Sequence, residues 1–209
     1  MKLLLIGATG PTGLELVKQG LEHGHEITVL VRDPSKLATV HPKLHAMVGD
    51  ILNEANVDAA MAGQDAVICS LGMGITFKHV TLFSDGTRNL LNAMRHHSVQ
   101  RIVCITGIGA GDSRGHGGFM YDRVIEPTLL RTIYADKDRQ EELLRQSDRD
   151  WTIVRPGMLT NDQAKGSYRA LLDLTGVTVG KIARADVAGF VLKELASAEF
   201  LHKTPLLTD

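Results

Sequence analysis

Short apolar runs alternate along this chain with longer stretches in which apolar residues recur every three or four positions. Leu3–Ile6 is the first run; Leu14, Val17 and Leu21 then fall at helical spacing, with Gly20 and Gly24 marking the end. Ile27–Val31 is a second strand, broken by Asp33-Pro34-Ser35, and a third falls near Leu44–Val48, before Gly49-Asp50. Asn53 suits the cap of a helix carrying Val57, Ala60 and Met61 on one face. Ala66–Ser70 is a fourth strand. Phe83, Thr87, Leu90, Leu91 and Met94 form a helical stripe. Arg101–Ile105 and Trp151–Val154 are the fifth and sixth strands. Between them lie stripes at Ile125, Leu129 and Ile133, then at Leu143 and Leu144. A last helix carries Val187, Phe190, Val191 and Leu195. Strands alternating with helices imply parallel pairing by right-handed crossovers. Strands that are apolar throughout suit a sheet covered on both faces. The expectation is α/β: a doubly wound, Rossmann-type parallel sheet in one domain over residues 1–209.

The first strand leads into Gly7-Ala8-Thr9-Gly10-Pro11-Thr12-Gly13. A glycine motif at a strand-to-helix junction has a physical logic. Gly7 permits the sharp turn, Gly10 lets the backbone approach a pyrophosphate, and Gly13 lets the helix pack close to the sheet. The amides of the first helical turn then face the anion, aided by the helix dipole. Thr9 sits within the turn, Thr12 adds a hydroxyl, and Pro11 pre-sets φ for the first turn. NAD-binding units usually end the second strand on an acidic residue. Here it ends on Arg32, whose guanidinium suits a 2′-phosphate, with Ser35 and Lys36 following. The expected cofactor is therefore NADP(H), while Asp33 beside Arg32 keeps NAD(H) open. Asp50 is read either as an adenine contact, with Ile51 walling the ring, or as an Asx turn. Ser70, Leu71 and Gly72 would run along the ribose nearest the nicotinamide.

Composition narrows the classes. A formal net charge of −1 offers no basic surface for nucleic acid. No stretch approaches a membrane span, and the N-terminal apolar run is too short for a signal peptide. Cys69 and Cys104 sit in apolar runs and read as reduced core residues, so the chain is expected in the cytoplasm. His41 and His45 are separated by Pro42, His96-His97 ends a helix, and no cluster shows ligand spacing, so no metal is expected. Gly107–Gly118 holds six glycines in twelve residues and reads as a mobile lid after a strand end. Nothing here fixes oligomeric state; a monomer or weak homodimer is expected.

The segments GATGPTG, TVLVRDPSKL, VGDILN, AGQDAVICSLG, SDGTRNLLNAM and TIVRPGMLT together resemble the atypical short-chain dehydrogenases with an NAD(P)H-binding domain. Within them the likeness is to flavin reductases, biliverdin-IXβ reductases and bacterial NADH-flavin reductase relatives. The resemblance implies a seven- or eight-stranded parallel sheet. It implies cofactor contacts from Gly7, Thr9, Gly10, Pro11, Thr12, Gly13, Arg32, Asp50, Leu71 and Gly72. It also places Thr106 and the Arg155–Leu159 loop, with Pro156 and Gly157, beside the nicotinamide. The acceptor segments would be 107–137 and 155–183. Short-chain dehydrogenases use Tyr-x-x-x-Lys; here Tyr134 precedes Lys137 by three residues, and Gly107 stands where the biliverdin/flavin reductases have serine. Thr106, Lys137 and Tyr134 are the candidate catalytic residues. The expected activity is hydride transfer to a flat aromatic acceptor such as a flavin, a quinone or a tetrapyrrole. The alternative is an NADP(H)-binding sensor or assembly module without turnover. An epimerase or ketone reductase is disfavoured by the missing Tyr-x-x-x-Lys pair.

Overall fold

The computed structural model describes residues 1–37 and 39–209. Five helices and ten strands follow one another as β1 (Lys2–Ile6), α1 (Pro11–Glu22), β2 (Glu26–Val31), β3 (Leu44–Val48), α2 (Glu54–Met61), β4 (Ala66–Cys69), α3 (Leu82–His96), β5 (Arg101–Ile105), α4 (Arg131–Arg145), β6 (Asp150–Pro156), β7 (Met158–Thr160), β8 (Arg169–Leu171), β9 (Lys181–Ala183), α5 (Arg184–Ser197) and β10 (Leu206–Thr208). Eight strands form one sheet in the order β3-β2-β1-β4-β5-β6-β10-β8, and β7 pairs with β9 separately. The fold is Rossmann-like, with one departure from the all-parallel expectation. β8 runs antiparallel to β10, an edge strand that needs no crossover helix.

Each face of the sheet carries its own core. On one, Leu16, Val17, Val187, Val191 and Leu195 of α1 and α5 pack on Leu3, Leu5 and Val29. On the other, Val57, Met61, Leu90 and Met94 of α2 and α3 pack on Leu4, Val67 and Ile102. The stripes read from the sequence in α2, α3 and α5 are the buried faces. Leu14, by contrast, is only half-buried, and Leu16 takes the core position in α1. Asn53 caps α2 by accepting from the Asn56 amide. The Ile125–Leu129–Ile133 stripe does not hold. Residues Tyr121–Leu130 wind as a π-helix around Pro127, and its wider turn breaks the 3.6-residue register. Ile133 is buried in α4 whereas Leu129 is exposed.

Strands β7 to β10 were invisible in the sequence because each is three residues long. Cys69 and Cys104 lie opposite each other on β4 and β5; both are buried and free. The chain leaves β1 toward β2 on one side and returns to β4 on the other. This switch point opens a crevice at the strand ends, where open α/β sheets take their ligands. Among the described residues, no helix is long and apolar enough to cross a membrane.

Candidate cofactor and acceptor site

A cleft of about 700 Å³ occupies that crevice. The turn from β1 to α1 forms its floor, and its glycines differ in what holds them. Gly7 has φ +83°, and a Cβ there would lie 2.2 Å from the Ser70 carbonyl oxygen. A Cβ on Gly13 would lie 2.1 Å from the Gly7 carbonyl oxygen. Both glycines are therefore demanded by the protein's own packing. Gly10 is not: a Cβ there would meet only the Gly7 carbonyl oxygen, at 3.4 Å. The space it leaves open belongs to the cleft.

Gly10 is also the N-cap of α1, with no side-chain cap and no acidic residue in the first turn. The Thr12 and Gly13 amides have no acceptor among the described residues. A cradle that Gly10 leaves open for want of a Cβ, closed by unpaired amides at a helix N-terminus, fits a pyrophosphate. The dinucleotide would rest on Gly7, Thr9, Gly10, Pro11, Thr12 and Gly13, all of which line the cleft.

At the β2 end of the cleft, Arg32 is exposed and makes no hydrogen bond or ion pair among the described residues. Asp33 is turned away, accepting from the Ser35 amide at 3.1 Å and hydroxyl at 2.6 Å. Those two hydrogen bonds hold its carboxyl below the usual carboxylate range. Arg32 and Lys36 line the cleft; Ser35 does not, its hydroxyl being spent on Asp33. Asp50 and Ile51 line it as well. The Asx turn is present, with Asp50 Oδ1 accepting from the Leu52 amide at 2.9 Å. Ser70, Leu71 and Gly72 follow β4 along the cleft wall.

The far half is apolar. Met73, Leu82, Phe83, Ile133 and Leu159 line it, with Thr106, Lys137 and Arg184 as its polar members. Lys137 is buried on α4; its ammonium donates to the Thr106 carbonyl and sits 4.9 Å from the centre of the Phe83 ring. Burial lowers its pKa, opposed by the neighbouring thiols and by Glu141 and Asp136. Phe83 is held by Asp136, whose carboxylate accepts from the Phe83 amide at 2.8 Å and the Ser84 hydroxyl at 2.5 Å. A residue of α4 thus caps α3, for which Thr81 offers no side-chain cap.

Besides Ser35, three further expected contacts are not brought to the cleft. Tyr134 is buried, its hydroxyl shared with that of Tyr121 at 2.9 Å, and burial pushes its phenol well above the ordinary tyrosine value. Pro156 closes β6, its carbonyl accepting from the Ile108 amide. Gly157 serves close packing instead, since a Cβ would lie 2.4 Å from Val179 Cγ1. Nor does the glycine loop 107–118 hang free over the cleft. Gly111 donates to Asp138 at 2.8 Å, Tyr121 donates to the Ile108 carbonyl at 2.9 Å, and Ser113 is buried. Arg155, 1% exposed, pairs with Asp112 of the loop at 2.5 Å and with Glu141 at 2.6 Å. Glu141 accepts in turn from the Thr106 hydroxyl at 2.8 Å.

The sequence reading missed Met73, Leu82, Phe83 and Arg184 as cleft residues, and gave Ile133 only as part of the segment 107–137; Leu159, of the loop the resemblance placed here, does line the cleft. Phe83 and Ile133 look like ordinary core positions. Arg184 opens α5 just after a strand too short to recognise.

Fold and cleft together define a Rossmann-type dinucleotide-binding protein. A family model described as NAD(P)H-binding matches residues 7–198, and the chain belongs to that family. It is 31% identical, over 214 residues, to an uncharacterised chloroplast protein of Arabidopsis thaliana; the match covers 97% of this chain and 74% of that protein. Among solved structures it resembles the anaerobillin reductase ChuY of Escherichia coli O157:H7, with TM-score 0.83 and 20% identity over 100% of this chain and 97% of that one. It also resembles a short-chain dehydrogenase/reductase of Veillonella parvula in complex with NADP, with TM-score 0.83 and 16% identity over 100% of this chain and 94% of that one. At these identities the two structures show the shared fold.

Proposed function

We propose that this protein is an NADPH-dependent reductase that passes hydride to a flat, redox-active aromatic acceptor such as a free flavin. The observation that carries this reading is the division of one cleft into two halves. One half has unpaired amides and an unpaired arginine suited to a phosphorylated dinucleotide. The other is a lipophilic slot walled by Phe83, Leu82, Ile133 and Leu159. Arg32 reads the 2′-phosphate with Lys36 beside it, and the diversion of Asp33 into its own turn supports NADPH over NADH. Bound NADPH supplies the hydride, and the acceptor takes that hydride together with one proton.

The protein's part is to hold the two rings together and keep the slot dry. Lys137 acts as a positioning and proton-relay residue at the floor of the slot, and Thr106, fixed by Glu141, orients it through its carbonyl. Tyr134 takes no part in proton transfer in this reading, because a phenol with a raised pKa is a poor donor. The shared fold with ChuY, named as an anaerobillin reductase, supports a reductase reading. Two buried free thiols suit a reducing compartment such as the cytoplasm.

The test mixes purified protein with NADPH and FMN and follows oxidation of the reduced cofactor. Turnover well above the uncatalysed rate is expected. Tight NADPH binding without turnover on flavins, quinones or tetrapyrroles would reject the reductase and favour the redox-sensing module. By calorimetry, Arg32→Ala should weaken NADPH binding by roughly 10- to 100-fold while changing NADH binding little, as loss of a charge-assisted hydrogen bond requires. Equal losses for both would refute the assignment of Arg32.

A further inference from the structure

The second cluster of chemistry-bearing side chains lies at the opposite end of α3 from the cleft. Phe83 stands in the first turn of this helix and His96 is its last residue, 13 residues and about 20 Å along the axis. There His96 Nδ1 lies 2.7 Å and His97 Nε2 3.1 Å from the same oxygen, Oδ1 of Asp58 on α2. The two imidazoles are tilted by 50° with their centres 4.7 Å apart. All three donor atoms fall within 4.8 Å of one another.

Neighbouring residues on a helix point about 100° apart, so a His-His pair does not ordinarily converge. It converges here because α3 stops between the two residues. His97 is the C-cap, with φ −94° and ψ 7°, and Ser98 turns the chain into the left-handed region at φ 58°. The packing of α2 on α3 then carries Asp58 across to meet both rings. No spacing rule could have shown this, and the absence of a ligand cluster expected from the sequence does not hold in the folded chain.

We propose that Asp58, His96 and His97 form a binding site for a borderline divalent transition ion of the zinc class. Two imidazole nitrogens and one carboxylate oxygen are the donors such ions prefer. A tetrahedral ion with bonds of about 2.0–2.1 Å holds its donors about 3.3 Å apart. The observed 2.7 and 3.1 Å require the carboxylate to withdraw only slightly. The site faces solvent, with side-chain exposures of 71% for His96 and 37% for Asp58, so water completes the shell and the ion enters directly. His97, at 22%, is the inner ligand. The ion ties the end of α3 to α2 and so acts as a structural clip. The site shares no residue with the cofactor cleft, so it stands whether or not the reductase reading does.

The experiment titrates Zn²⁺ into the untagged full chain by calorimetry and Co²⁺ by visible absorption, beside Asp58→Asn and His96→Ala variants. One equivalent of Zn²⁺ should bind with a Kd on the order of micromolar, raise the unfolding midpoint, and give Co²⁺ bands of low-symmetry, four-coordinate type. Each variant should lose about tenfold or more in affinity while keeping its metal-free melting curve and its NADPH affinity. Binding no tighter than on the order of a millimolar would overturn the proposal. So would binding that is undiminished in both variants, since the ion would then sit on other histidines.

Discussion

Gly10 and Gly13 show how one motif serves two masters. Gly13 is required by the chain, because any side chain meets backbone at 2.1 Å. Gly10 has backbone angles of φ −78° and ψ 160° that alanine adopts freely, and room for its methyl. Gly13→Ala should therefore lower the thermal midpoint sharply. Gly10→Ala should leave the midpoint near that of the parent and lower dinucleotide affinity by about tenfold or more, as a methyl in the phosphate cradle implies. A melt and a cofactor titration on each variant check both outcomes. Tyr134 makes a prediction in pH. Its buried phenol stays protonated in the folded state at pH values where an unfolded tyrosine, with a pKa of about 10, ionises. The folded pKa is raised, so stability is intact below about pH 10 and falls as pH rises beyond it. Tyr134→Phe should flatten that alkaline decline in urea unfolding. An unchanged slope would show that the phenol does ionise in place.

Among the elements, the strong helical stripes of α2, α3 and α5 and the strands β1 to β6 were legible because each encodes one period over enough residues. The glycine motif was legible for the same reason: it sits between a clear strand and a clear helix. What could not be read depends on contacts distant in sequence. Three-residue strands have no period, the π-wound segment around Pro127 breaks the one it has, and Asp136 caps a helix more than fifty residues away. The apolar lining of the cleft is built from such contacts, which is why Phe83 reads as ordinary core. The Arg155–Glu141 pair belongs at this scale too, since it joins β6 to α4. Arg155→Met strips the buried Glu141 carboxylate of its two-pronged partner, leaving it only Arg145 at 3.1 Å and the Thr106 hydroxyl, and should cost up to about 3–5 kcal/mol. Adding Glu141→Leu should return part of that loss, so the double variant unfolds at higher urea than the single one. Strictly additive losses would mean that the two side chains are not energetically coupled.

For the molecule as a whole, the sheet order places the cleft and the helices hold its walls. The loop 107–118, rich in glycine, was expected to move as a lid. In the fold its glycines serve backbone conformations with positive φ, at 107, 109, 111, 115 and 118. Its polar groups are tied to Asp138, Arg155 and Tyr121. Hydrogen exchange should find the Gly109 and Gly111 amides protected before any ligand is added, with little change when NADPH is present. Fast exchange that slows on binding would restore the lid.

The anchoring of that loop has a consequence for how the protein selects what it acts on. An entrance that does not shut cannot test a visitor by the effort of closing around it. If the cleft takes the proposed acceptor, discrimination falls to the width and greasiness of the lining around Phe83 and Leu159. On the reductase reading proposed above, such a doorway would admit a range of planar guests and exclude bulky ones by girth, so that breadth of acceptor use would follow from the architecture.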